Sequence, residues 1–360
     1  LRRMGKITAL AAVSVLALAG CGSDDNGDSD DAKSSSNVLD CDKADGDGPK
    51  VGIAYDVGGQ GDKSFNDAAA VGVKKAVDEL AATCTEAEAA DGEGEGDREE
   101  RLRLLAEQGY NPIVAVGFKY AESVDKVSGE FADTTFAIVD GFDPTADAEN
   151  ANVSYLGFAE EQGSFLVGAA AATKSETDNI GFVGGVNSDL IKKFEAGYVA
   201  GAKAVNPDIT VQVKYIEEEN ARGFNDPAGG RAAAAGMFDG GADVVYHASG
   251  GSGAGVFEAA VDAGDGKWAI GVDSDQWQTA SKTEKPHILT SMLKRVDVAT
   301  FDAIKAFDDG SPLSSYKVYD LKSDGVGYST SGGFVDDISG ELDGYAEKIK
   351  NEEITVPTTP

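Results

Sequence analysis

The feature that most constrains this chain is an alternation of short apolar runs with amphipathic helical segments, played through twice. Lys50 to Tyr55 reads as a strand, followed by a glycine-rich turn and a helix near Asn66 to Ala81. That helix sets Ala69, Val73, Ala76, Val77 and Leu80 on one side. Cys84 to Ala90 is a candidate second strand, Asp91 to Gly96 a polar loop, and Asp97 to Gln108 a charged helix turning Leu102 and Leu105 inward. Strands are expected at Pro112 to Val116, Thr135 to Val139 and Asn152 to Gly157, with a helix between the first two. The order then restarts with a helix at Gln162 to Ala172, a strand at Asn179 to Val183 and a helix at Ser188 to Val205. Val211 to Ile216, Asp243 to His247, Trp268 to Val272 and His287 to Ser291 complete the strand set. Strands that are apolar throughout, rather than alternating, are buried on both faces, so the class is α/β with parallel sheets under helices. Two doubly wound lobes with a ligand cleft between them follow. Ligands of such sheets sit beyond the carboxyl ends of the strands.

Polar chemistry gathers at those ends. After the first strand comes D-V-G-G-Q-G-D-K-S-F-N-D (56–67). Its glycines lack the G-x-G-x-x-G order, and its acids would repel a pyrophosphate, so a dinucleotide turn is a poor fit. Phe65 beside Asn66 reads either as core plus helix cap or as an aromatic plate next to groups that grip a flat polar ring. Asp140 emerges where the strand F-A-I-V stops, as a turn residue or as an acceptor for ligand N–H groups. Phe224 lies in the polar run A-R-G-F-N-D-P without any apolar period, a second candidate plate. His247 to Gly255 is a glycine-rich strand-to-helix turn containing Gly250, suited to an anion or a sugar hydroxyl, or simply structural. Asp273 and Lys294 end two further strands; they are apt partners for a diol, or for each other. Ser252 and His247 invite a nucleophile reading, but G-G-S-G-A misses the last glycine of the G-x-S-x-G elbow. Both histidines, His247 and His287, are read as non-catalytic, and neither a cofactor nor a metal is expected.

The N-terminal segment is an address. Arg2, Arg3 and Lys6 precede an apolar stretch from Ile7 to Leu18, too short to span a bilayer but suited to a signal-peptide core. It ends Leu18-Ala19-Gly20-Cys21, which resembles the bacterial lipobox, so Cys21 is the expected lipidation site. The Asp-, Ser- and Gly-rich run that follows has little to bury and is expected to be a solvated tether. An extracytoplasmic compartment permits Cys41 and Cys84 to pair, the alternative being two free thiols. With 31 Lys and Arg against 63 Asp and Glu, the net charge is -32, which repels nucleic acid and anionic lipid surfaces.

Five segments together carry a resemblance. D-V-G-G-Q-G-D-K-S-F-N-D (56–67), A-I-V-D-G (137–141), V-V-Y-H-A-S-G-G-S-G-A-G-V-F-E-A-A (244–260), I-G-V-D-S-D-Q (270–276) and T-S-M-L-K-R-V-D-V-A (290–299) are similar to the basic membrane protein family. These are ABC-transporter substrate-binding lipoproteins of the purine nucleoside receptor (PnrA-like) type. The resemblance implies a type I periplasmic-binding-protein fold, whose two lobes, joined by a hinge, close on a nucleoside. It implies that Phe65 and Phe224 sandwich the base, that Asp56, Asn66 and Asp140 meet its edge, and that Gly250, Asp273 and Lys294 hold the ribose. It also implies a monomeric, non-enzymatic receptor, lipid-anchored on the outer face of the cell membrane, which delivers its ligand to a permease and its ATPase. The expected division is a signal peptide at 1–20, a tether at 21–48, lobe 1 at 49–158 plus 290–312, lobe 2 at 159–289 plus 313–350, and a tail at 351–360. A receptor for a sugar or another small polar ligand on the same fold is the alternative, with a nucleoside-processing enzyme behind it.

Overall fold

A computed structural model describes residues 39–90, 92–142 and 150–360. The signal peptide, Cys21 and the tether as far as residue 38 lie outside the described residues. The strand runs found in the sequence, joined by two strands that it did not reveal at Ser315–Tyr319 and Val326–Tyr328, form two six-stranded sheets among the described residues, one per lobe.

Lobe 1 is built from β1 (Lys50–Ala54), α1 (Phe65–Leu80), β2 (Thr83–Ala87), α2 (Glu95–Glu107), β3 (Ile113–Val116), α3 (Ala121–Glu130), β4 (Phe136–Val139) and β5 (Val153–Phe158). The chain crosses to lobe 2 for α4 (Glu160–Lys174), β6 (Asn179–Val186), α5 (Asp189–Val205), β7 (Thr210–Glu217), α6 (Pro227–Asp239), β8 (Val244–Ala248), α7 (Gly253–Ala263), β9 (Trp268–Asp273), α8 (Gln276–Thr279) and β10 (Ile288–Lys294). It returns to lobe 1 for α9 (Val296–Asp308) and β11 (Ser315–Tyr319), and crosses back for β12 (Val326–Tyr328) and α10 (Ser339–Lys350). The sheet orders are β11-β5-β4-β3-β1-β2 and β12-β10-β9-β8-β6-β7. Among the described residues only strand β12 runs antiparallel to its neighbour. The central strands β3, β4 and β5 are buried along their whole length, as continuous apolar runs require, whereas the edge strands β2 and β7 are half-exposed.

Two expected boundaries are corrected. Residues 290–294 belong to β10 in the second sheet, and 315–319 to β11, which pairs with β5 in the first. The apolar run of β10 suits either sheet, β11 is a polar edge strand, and the three crossings decide which sheet each joins. The last ten residues of the expected tether also pack on lobe 1: Leu39 is buried, the Gly48 N–H donates to the Ala81 carbonyl at 2.8 Å, and Cys41 is joined to Cys84 by a disulfide. One apolar side chain and a covalent staple suffice to order what composition marks as solvated.

One hydrophobic core runs continuously through the inner helix layers of both lobes, and the outer layers, under α2 and α3 and under α6 and α7, close two smaller ones. In lobe 2, α4 and α5 approach so closely that a Cβ on Gly201 would lie 1.9 Å from the Phe165 carbonyl oxygen, and one on Gly168 2.2 Å from that of Tyr198. Only glycine permits this backbone contact, which seats α4 at the first crossing.

Candidate functional site

Between the lobes lies a cleft enclosing about 540 Å³ of space, part of it open to solvent. It is lined by the carboxyl ends of β1, β3 and β4 from lobe 1, by those of β8, β9 and β10 from lobe 2, and by the first turns of α5. Asp56, Phe65, Asn66, Asp140, Phe224, Gly250, Asp273 and Lys294, the whole sequence-derived ligand set, line this one cavity.

Local hydrogen bonding explains how the loop 56–67 delivers its members. Asp62 accepts from the backbone N–H of Ser64, Asn66 and Asp67 at 2.9, 2.9 and 3.1 Å, which starts α1 at Phe65. Asp67 accepts from Gly61 and Lys63 at 2.6 and 3.0 Å and folds the glycine turn back. Asn66 lends its amide oxygen to the Asp56 N–H at 3.1 Å, binding the turn to the end of β1. Two acids of the motif are therefore scaffold, and Phe65 is left half-buried at the cavity wall.

The strand-end acids are strained and buried. Asp140 (φ 61°) and Asp273 (φ 63°) both adopt the left-handed backbone region, which a non-glycine residue enters at a cost and often at functional positions. Lys294 bridges the lobes: its Nζ lies 2.6 Å from Asp140 Oδ1 of lobe 1 and 3.4 Å from Glu160 Oε1 at the first crossing. Nζ also sits 5.0, 4.9 and 5.4 Å from the ring centres of Phe65, Phe158 and Phe194, a cation wrapped in aromatic faces. Asp273 is held by Ser64 of lobe 1, whose Oγ donates to Oδ2 at 2.5 Å. Lys294 thus pairs with Asp140 and Glu160 and Asp273 with Ser64; these are their close partners, and neither is at salt-bridge distance from the other. One ammonium serves two buried carboxyls, Asp140 and Glu160. Burial raises the Asp140 carboxyl above its ordinary value, reinforced by Glu160 and Asp273 and opposed by Lys294. Burial likewise pushes Asp56 up to about 6 and raises Asp273. Lys294 is held well above the ordinary lysine value: burial works against its charge, and the surrounding acids outweigh it.

Ser252 and His247 are engaged structurally. Ser252 Oγ donates to the Gly223 carbonyl at 2.8 Å and accepts from the Asp226 N–H at 2.7 Å, fixing the loop that carries Phe224. His247 is fully buried, with Nε2 3.0 Å from Gln276 Oε1, and burial lowers it to about 4. His287 Nδ1 lies 3.0 Å from the Lys267 carbonyl oxygen. Among the described residues no group of His, Cys, Asp or Glu is arranged to hold a metal ion, and no helix is long and apolar enough to cross a membrane.

Residues 50–360 match the family described as ABC transporter substrate-binding protein PnrA-like. The chain belongs to this family. It is 31% identical over 379 residues to the ABC transporter nucleoside-binding protein BmpA of Lactococcus lactis, with 99% of each chain covered. It is 33% identical to basic membrane protein A of Borreliella afzelii, covering 86% of this chain and 91% of that one. An ABC transporter solute-binding protein from Aeropyrum pernix superposes with a TM-score of 0.75 at 26% identity, over 86% of this chain and 93% of that one. A dimeric Lac repressor, at 13% identity and a TM-score of 0.57, shares the fold alone. The fold is thus the type I periplasmic-binding one, and the family is one of binding proteins of ABC transporters.

For a PnrA-like substrate-binding protein, the cavity contains more than sequence reasoning found. Phe118, Leu190, Ile191 and Phe194 also line it, and Glu160 backs Lys294. Phe194 sits at helical spacing on α5 and reads as core from the sequence. Phe118 carried a usable signal, since it directly follows the end of β3. Gly117 ahead of it has φ 108°, and a Cβ there would meet Asp56 Oδ2 at 2.6 Å, so the turn stays open for the acid only as glycine.

Proposed function

We propose that this substrate-binding protein captures a nucleoside, purine before pyrimidine, and delivers it to a membrane permease driven by a separate ATPase. The supporting observation is convergence: residues from six separate strand ends and loops, chosen for the needs of a base and a ribose, border one interlobe cavity. Phe65 comes from lobe 1 and Phe224 from lobe 2, so a planar ring between them touches both halves. The description of the Lactococcus lactis relative as nucleoside-binding supports the same reading. Asp56, Asn66 and Asp140 offer acceptors and an amide to the base edge, while Gly250, Asp273 and Lys294 face the ribose hydroxyls. Ligand contacts made to both lobes at once favour the closed arrangement by their differential affinity for it, and no chemical step is involved. An acyl group on Cys21 would hold the receptor at the outer face of the membrane.

Mass spectrometry of small molecules released on denaturing the purified protein, followed by calorimetry with nucleosides and with free sugars, tests this function. Nucleosides should be released and should bind. Binding of sugars with none of nucleosides would replace the reading by the sugar-receptor alternative.

A further inference from the structure

We infer that Phe118 is the residue that shuts the cavity mouth and orients the Phe224 plate, and so sets how long a ligand stays bound. Phe118 opens a short 3-10 turn, Phe118–Tyr120, directly after β3. The turn is anchored in lobe 1: Tyr120 Oη donates to the Tyr55 carbonyl at 2.9 Å and accepts from the Arg101 guanidinium at 2.7 Å. From this base the Phe118 ring reaches across the cleft. Its centre lies 6.4 Å from that of Phe224 of lobe 2, with planes at 85°, an edge-to-face pair. On its other side Phe118 meets Phe142 at 6.3 Å and 70°, and Phe142 is 42% exposed. Three rings therefore run from solvent to the cavity wall, and the innermost contact spans the lobes. Next to them Lys119 Nζ donates to the Glu219 carbonyl at 3.4 Å, a second link across the same seam.

Phe224 has support on its own lobe as well. A Cβ on Gly185 would lie 2.5 Å from Phe224 Cδ1, so the ring rests on bare backbone there. With Gly185 beneath and Phe118 across, the ring is held from two directions. A ligand leaving the closed form must part Phe118 from Phe224. The barrier to leaving then includes this apolar contact, whereas entry into the open form does not meet it, so the effect falls on dissociation.

The ligand arm of the test rests on the nucleoside reading; the ligand-free arm does not. Amide hydrogen exchange is measured on the wild type, Phe118→Ala and Phe118→Tyr without ligand, and stopped-flow release is measured with adenosine, guanosine and inosine. Phe118→Ala should speed exchange at Arg222 to Asn225, in the opposite lobe, on the order of tenfold, with β1 and β3 unchanged. It should speed nucleoside release on the order of tenfold while association changes far less. Phe118→Tyr should restore both. Exchange at Arg222 to Asn225 equal to wild type would overturn the proposal, as would faster exchange spread through β1 and β3, which marks a merely structural side chain. If the wild type binds none of the three nucleosides, the nucleoside reading falls and the exchange arm decides Phe118 by itself.

Discussion

The two lobes share a fold and furnish the cavity differently. Lobe 1 presents the buried polar groups Asp56 and Asp140 at strand ends and Asn66 in the first turn of α1, beside the Phe65 and Phe118 rings. Lobe 2 presents Leu190, Ile191, Phe194, Ala248 and Val272, an apolar wall, with Asp273 and Lys294 at its margin. The single buried ammonium among these residues comes from lobe 2 and lies against an acid of lobe 1. Repeating an architecture thus does not repeat its chemistry. The strand ends are equivalent positions, and each side chain placed there is free to differ.

Exchanging that ammonium should have the largest effect. Lys294→Met leaves Asp140 buried without its cation, and Glu160 with Lys193 alone, and should cost about 3–5 kcal/mol of stability. Adding Asp140→Asn should recover part of the loss; chemical denaturation of the two single variants and the double variant checks the pair, and a double-variant loss equal to the sum of the single losses would mean that the two residues act independently. Next, reduction of Cys41–Cys84, a bridge across a sequence separation of 43, should cost about 2–4 kcal/mol, and should open lobe 1 before lobe 2 in hydrogen exchange. Phe65→Ala and Phe224→Ala should each weaken nucleoside affinity by about 1–3 kcal/mol by calorimetry, and a loss confined to one of them would make the base a one-sided contact.

The smallest expected effect concerns pH, where the lobes oppose each other. Asp56 in lobe 1 is raised by burial to about 6, so between about pH 4 and 6 the folded chain keeps a proton that the unfolded chain has released, and acidification through that window stabilises. His247 in lobe 2 is lowered by burial to about 4, so below about 6.5 the unfolded chain takes up a proton that the folded chain refuses, and acidification destabilises. Asp56→Asn removes the first contribution. Its stability should fall more steeply than that of the wild type from pH 6.5 to 4.5, by on the order of 1 kcal/mol in denaturant titrations. Parallel slopes would show that Asp56 does not hold its proton in the folded state.

Much of this was legible beforehand because burial on both faces leaves a mark on each strand separately. Ile113–Val116 and Phe136–Val139 are apolar at every position, and both are central strands. Asp140, Asp273 and Lys294 stood out as polar residues where such runs stop. The helix start at Phe65 was displaced by one residue in the sequence reading, since the carboxylate that accepts from its first-turn N–H groups is Asp62, three positions upstream of Phe65 and outside the helix. Phe194 was legible only as a core residue, because helical spacing does not distinguish a face turned to the interior from one turned to a cleft.

The residue order by itself determined the α/β class, the doubling into two lobes and the chemical groups carried at the strand ends, since periodicity and strand termination are local properties. The tertiary structure decided that β10 and β11 exchange lobes, that Glu160 backs Lys294 and that Phe118 meets Phe224. The β11–β5, Glu160–Lys294 and Phe118–Phe224 pairings each join segments more than a hundred residues apart, and β10 is placed by β9 and β12 on either side of it; only packing of the whole chain selects these partners.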